Sequence, residues 1–226
     1  MYINIWLTIT HFTVFFKRLW EKHFRNLYIF VNLGSDLTKF GLGGKINEDM
    51  FFCERTFFIM ELWDIYDSSK QPTGRTMKRN DWCLKDGEYH LTVLGVIMRP
   101  DGKFLITQRV MTKAWAAGWW EVSGGAAIAG ESSREAVNRE VFEETGLDVS
   151  NAEGGYVFSY HRENPGEGDN YFVDIYRFVL DFDESDLHLQ AAETLGYRLA
   201  APEEIKELGE KGIFLHYDSI KRVFEV

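Results

Sequence analysis

The sequence predicts a mixed α+β sandwich, and three observations carry that reading. An apolar hairpin occupies residues 90–109, further strand-like segments follow it, and few helix-like segments separate them. Strands joined mostly as hairpins argue against a doubly wound parallel sheet, in which strands and helices alternate.

The elements follow in chain order. Glu61 to Tyr66 (ELWDIY) alternates as a short strand, and Asp67 to Gly74 (DSSKQPTG) has turn chemistry. His90 to Arg99 (HLTVLGVIMR) is an apolar strand; Pro100-Asp101-Gly102 turns the chain, and Lys103 to Arg109 (KFLITQR) returns it. Further strands are expected at Trp119 to Val122, Gly155 to His161, Tyr171 to Asp181 and Tyr197 to Ala200. Helices are expected at Ser132 to Thr145, at Pro202 to Leu208 with Pro in the first turn, and at Tyr217 to Phe224.

A chain of 226 residues is long enough for a full core, as one domain with an extension or two small domains. With 45% hydrophobic and 27% charged residues, its composition is that of a soluble globular protein. The formal charge of -10 repels nucleic acid and anionic membranes, so neither is expected as a partner. Phosphate chemistry in such a chain needs a local device, and a bound cation is the natural one. Cys53 and Cys83 make no disulfide framework, and cytoplasmic residence is expected.

Residues 1–59 differ in texture from the rest. The apolar run at 2–16 lacks the preceding positive charge and the cleavage site of a secretory signal, and it is too short and too interrupted to span a bilayer. Ile3, Ile5, Leu7 and Ile9 alternate like a strand, the stretch to Phe30 has a looser helical rhythm, and Val31 to Phe58 reads as loop. The segment is expected to be a dispensable extension, or a leader ahead of a native start at Met60, with the folded domain at 60–226.

The chemistry concentrates in residues 124–147 (GGAAIAGESSREAVNREVFEETGL). On a helix over 132–145, Glu140, Glu143 and Glu144 stand at i, i+3 and i+4, so their carboxylates share one face. Oxygen ligands of this kind suit Mg²⁺ or Mn²⁺. Arg139 can reach back to Glu131 or Glu140 through paired hydrogen bonds. Val137 and Val141 give the helix an apolar seat. Gly124 and Gly125 end the preceding strand, where a backbone carbonyl can add a ligand, and Gly146 stops the helix. A solvated charged face is the bland alternative, but the spacing is more specific than that. Gly125, Glu131, Arg139, Glu140, Val141, Glu143, Glu144, Gly146 and Leu147 fit one pattern without exception. A chance match is on the order of one in ten million.

That pattern resembles the Nudix box. The resemblance is specific in the box and spans, more loosely, Met60 to the end. It implies an α/β/α sandwich around a mixed sheet, and Mg²⁺- or Mn²⁺-dependent hydrolysis of a diphosphate linkage in a nucleotide or nucleoside diphosphate derivative. Carried over by position, Glu140, Glu143 and Glu144 would bind the metal, Arg139 would orient Glu140, and Gly125, Glu131 and Gly146 would be structural. The general base is Glu140 or an acid outside the box: Glu163, Glu167, Asp169 or Glu193. A small-molecule diphosphate is the implied substrate, and a homodimer is compatible with all of this.

Outside the box, DIYDSSKQPTGRTMKRND, DGEYHLTVLGVIMRPDGKFLITQR and ETLGYRLAAPEEI look like the branch close to isopentenyl diphosphate isomerase. An isomerase is therefore the first rival. It would use a cysteine in Trp115 to Gly125 (WAAGWWEVSGG), which has none; Met77 stands where many relatives carry His, and His90 matches an isomerase metal position. A non-catalytic nucleotide-sensing domain is the third reading, with 1–59 as its contact segment. For substrate, Trp115, Trp119, Trp120, Tyr160 and Tyr171 offer stacking faces, against the plainer role of core and rim packing. Arg109 and Arg162 are candidate phosphate contacts. Pro165 lies slightly off the position at which the ADP-ribose branch places its proline.

Overall fold

The computed structural model describes residues 61–164 and 166–225, with the backbone of three short strands before them. The chain divides into two compact units, Met1–Glu61 and Leu62–Val226. In the first, β1 (Ile29–Asn32) pairs antiparallel with β2 (Leu37–Phe40) on one side and β3 (Phe58–Ile59) on the other. The segment read as loop from Val31 to Phe58 thus contains β2 and the start of β3. The expected strand at 3–9 and the helical rhythm toward Phe30 lie mostly outside the described residues, as does Pro165.

The second unit is built on β6 (Glu88–Met98), most of whose eleven residues are buried, on both faces of the strand. From His90 to Met98 it pairs in parallel with β11 (Tyr171–Val179), and β10 (Glu153–Arg162) lies antiparallel outside β11. The other edge of β6 is shared. β4 (Leu62–Asp67) takes its start, β9 (Ser123–Ala126) its middle and β7 (Phe104–Arg109) its end, all antiparallel. β7 also carries β8 (Trp120–Glu121) and β12 (Thr194–Ala200), while β4 carries β5 (Pro72–Lys78) at the edge. One parallel pair among antiparallel neighbours makes the sheet mixed.

Side-chain alternation along the central strands divides the core between two faces. Leu91, Val93, Ile97 and Leu105 meet α1 (Ser133–Thr145) through Ala136, Val137 and Val141. Leu94, Val96, Phe104 and Ile106 meet Ile205 and Leu208 of α2 (Pro202–Glu210), then Ile220 of α3 (Tyr217–Ile220) and the 3-10 turn Lys221–Phe224. Helices on both faces of the sheet give the expected α/β/α sandwich. Gly95 is the point of closest approach: a Cβ there would lie 2.5 Å from Val141 Cγ2 and 3.0 Å from Val137 Cγ2.

Two boundaries differ from the sequence reading. The turn after β4 closes quickly, because Asp67 Oδ1 accepts the amides of Ser69 and Gln71, each at 2.9 Å. Pro72 then opens β5, a strand the sequence does not announce. Its side chains are exposed except Met77, so it shows no apolar alternation, and its edge position tolerates proline. The strand expected at Trp119 to Val122 is β8, and a separate strand, β9, follows it on a different partner, so that Gly124 and Gly125 lie inside β9 rather than ending β8.

Candidate active site

α1 is fixed at both ends. Ser132 Oγ accepts the amide of Glu135 at 3.3 Å, and the Glu135 carboxylate accepts the Ser132 amide at 2.9 Å, a reciprocal cap. Gly146, at φ +79°, closes the last turn with its amide on Phe142 O at 2.9 Å. Between these caps Arg139 organises the acids. Its Nε and Nη2 grip Glu131 Oε1 and Oε2 at 2.8 and 2.9 Å, and Nη2 also reaches Ala126 O at 3.1 Å. Its Nη1 donates to Glu140 Oε1 at 2.7 Å and to Glu143 Oε2 at 3.3 Å. Glu131 also accepts the Ile128 amide at 2.9 Å, so it ties the loop before α1 to the guanidinium. Burial opposes the charge of Arg139, but the bonds to Glu131 and the charges of Glu140, Glu131 and Glu143 outweigh it and hold the guanidinium above its ordinary value.

The carboxylate of Glu140 lies over Gly125, where a Cβ would come within 2.5 Å of Oε1. Glu144, one turn on, accepts the Gly124 amide at 3.2 Å. Burial first, then Glu140, Glu121 and Glu193, push Glu144 well above the usual carboxylate range, with the Ser123 hydroxyl opposing. Glu143 is the outer member, 44% exposed. Among the described residues no three His, Cys, Asp or Glu side chains converge as a ready-made cation cage. The chemistry of the donor set nonetheless fits a hard divalent ion: the donors are carboxylates, and the like charge that Glu140 places on Glu144 is what a cation relieves.

The candidate bases separate. The charge of Glu193 reaches Glu144 and helps to raise it, and Glu193 pairs with Lys113 at 3.1 Å. Glu163 accepts the Tyr89 hydroxyl, Asp169 lies 3.3 Å from His90 Nε2, and Glu167 is exposed in the turn between β10 and β11. His90 itself is buried, its ring stacked on Trp63 at 4.5 Å and tilted toward Tyr171 at 5.4 Å. Met77 packs with Trp63, Ile65 and Leu84.

The candidate substrate contacts have partners of their own. Arg109 Nη1 donates to Glu121 Oε2 at 2.7 Å, and Arg198 lies 4.7 Å over the Trp120 ring. Tyr160 faces Ser219 without a well-formed hydrogen bond, and burial pushes its hydroxyl up to about 12. Arg162, exposed, reaches the Tyr171 hydroxyl at 3.4 Å. Trp115 is exposed, and Trp119 is half-buried, its amide on Ala116 O at 3.2 Å. Sequence reasoning missed Glu121 and His216. Glu121 is a lone acid in an aromatic segment, and only the pairing of β8 with β7 brings it to Arg109. Burial raises its carboxyl, and the charge and hydrogen bond of Arg109 and the charge of Lys113 oppose that rise without cancelling it, while Glu193 adds a little to it.

The family model of the NUDIX domain matches residues 88–221. The Nudix hydrolase lin0387 of Listeria innocua is 34% identical over 168 residues, 74% of this chain and 95% of that protein. The isopentenyl-diphosphate Delta-isomerase of Kocuria rhizophila is 26% identical over 144 residues, 62% of this chain and 78% of its own. The CTP pyrophosphohydrolase of Escherichia coli is 40% identical over 76 residues, 34% of this chain and 54% of its own. Among solved structures, DR0079 from Deinococcus radiodurans superposes with a TM-score of 0.58 at 18% identity, covering 72% of this chain and 98% of that one, a likeness of fold. The family match spans more than half of the chain and a Listeria relative aligns over nearly its full length, so this protein belongs to the Nudix hydrolases.

Proposed function

We propose that this protein is a Mg²⁺- or Mn²⁺-dependent hydrolase of a diphosphate linkage in a nucleotide or nucleoside diphosphate derivative. The observation that carries the reading is the Arg139 fork, which seats Glu140 over Gly125 one turn from the half-buried Glu144. Glu140, Glu143 and Glu144 would hold the cation, with the backbone at Gly124 beside them. When bound, that cation would neutralise diphosphate charge and acidify a water. Arg139 orients Glu140, and Glu131 holds Arg139. In hydrolysis a water oxygen bonds to phosphorus, a phosphorus–oxygen bond of the diphosphate breaks, and the water proton passes to a carboxylate. Glu193 suits that role better than Glu163 or Asp169, because it alone of the three acts on Glu144.

The likeness to the CTP pyrophosphohydrolase, over 76 residues, supports a nucleotide substrate. The isomerase likeness is weaker, and Cys83, the free cysteine among the described residues, is exposed outside Trp115 to Gly125. The test is a screen of purified protein with Mg²⁺ against nucleotides, nucleotide sugars, dinucleotides and isopentenyl diphosphate, products identified by mass. Metal-dependent cleavage of a nucleotide linkage is expected, with no dimethylallyl isomer. Isomer at a turnover matching or exceeding hydrolysis would reverse the assignment.

A further inference from the structure

The sheet face opposite α1 ends in a polar and aromatic row, where Arg162, Tyr171 and His90 stand side by side in register. The C-terminal segment brings His216 to this region. His216 adopts φ +59° and ψ 14°, a left-handed conformation that non-glycine residues seldom occupy. Its carbonyl accepts the amides of Ser219 and Ile220 at 2.9 and 3.2 Å, and the preceding Leu215 amide binds Trp120 O at 2.8 Å. The backbone therefore fixes where the imidazole points.

That ring lies 6.1 Å from the ring of Trp115 at 51°, and Trp115 is 56% exposed. An exposed tryptophan on a loop is often mere rim packing. Here two further facts weigh against that. The ring nitrogens of the half-buried His216 make no hydrogen bond among the described residues. Burial, then Arg162 and Arg109, lower its pKa to about 4, so the imidazole is neutral near pH 7 and offers one donor and one acceptor. A neutral imidazole beside guanidinium groups can read a ligand's polar edge without adding charge.

We propose that Trp115 and His216 form a nucleobase subsite, in which the indole stacks on the base and the imidazole hydrogen-bonds its edge. Arg109 joins this subsite to the acids of α1: its guanidinium lies 5.9 Å from the Trp115 ring, and its Nη1 is on Glu121, whose charge reaches Glu144. The exposed Arg162 adds positive charge at the same end, which favours an anionic nucleotide in a chain of net charge -10. This inference rests on the nucleotide reading above and deepens it by naming the residues that set base preference.

The test is equilibrium binding, without metal, of AMP, GMP, CMP, UMP and ribose 5-phosphate to the full chain. At least one nucleotide should bind about tenfold tighter than ribose 5-phosphate, the scale of one base–aromatic stack. Trp115→Ala should bring that nucleotide to the ribose 5-phosphate level, and Trp115→Phe should restore much of the difference. His216→Ala should alter the preference among the four bases. In the wild type, the imidazole NMR resonances of His216 should move on adding the tight nucleotide and not on adding ribose 5-phosphate, a readout that needs no variant to fold. Equal binding of all five ligands, an unmoved His216, or wild-type preferences in either alanine variant overturns the subsite. Nucleotide turnover with base-blind binding removes the subsite alone, whereas base-selective binding without turnover removes the hydrolase reading and leaves the subsite standing.

Discussion

Arg139 is the residue whose substitution best separates charge from geometry. Lysine keeps the charge but cannot reproduce bonds to Glu131, Glu140 and Ala126 from one planar group. Arg139→Lys should lower kcat/KM by roughly 10–100-fold, as loss of a ligand-orienting partner does, and should lower the thermal midpoint because the half-buried Glu131 loses its fork. Wild-type kinetics in this variant would remove the orienting role. His216 supplies a pH signature. Burial and two arginines set its folded pKa near 4, below its unfolded value, so the neutral form favours the fold. Stability should be full above about pH 6.5 and fall as the pH drops toward 4, by at most about 3 kcal/mol. Urea titrations across that window should show a flatter profile for His216→Asn; an unchanged profile would contradict the burial argument. At this scale the sequence is legible where spacing carries meaning. Glu131, Arg139, Glu140 and Glu144 announce one another by their spacing along and just before a helix, whereas Glu121 and His216 meet the site only through strand pairing and loop closure.

α1 and the strands beneath it form the element on which the site depends. Its caps and its Val137 and Val141 seat are local signals, so its bounds are readable from Ser132 and Gly146. β5 is not readable, because an exposed edge strand opened by proline has no apolar period. The split of β8 from β9 also escapes a linear reading, since it reflects a change of pairing partner. The seat itself can be tested. Gly95→Ala would place a methyl 2.5 Å from Val141 Cγ2, forcing α1 away from β6. A loss of about 1–3 kcal/mol in chemical denaturation is expected, as for other overpacked cores. Gly196→Ala, with open space around it, should cost far less. Equal effects at the two positions would contradict the proposed close approach.

At the scale of the molecule, every residue assigned to metal, phosphate or base lies in the unit Leu62–Val226. A chain beginning at Met60 is therefore expected to fold, stay soluble and keep the hydrolase activity of the full chain; an insoluble or inactive product would make residues 1–59 part of the working protein. The sandwich was legible because β6 and β7 are apolar and hairpin-linked, and because the box fixes the helix that packs on them. Its parallel β6–β11 pair was not, since strand order depends on contacts distant in sequence. The central claim is that carboxylates on α1 hold the cation used in hydrolysis. It is tested most directly by Mn²⁺ binding and turnover of the best nucleotide substrate, measured on the wild type and Glu144→Gln. The account predicts that Glu144→Gln binds Mn²⁺ more weakly and turns over roughly a thousandfold more slowly, with a thermal midpoint equal to or above that of the wild type because the like-charge repulsion on a half-buried carboxylate is relieved. Wild-type turnover in Glu144→Gln, with the metal still required, would contradict it.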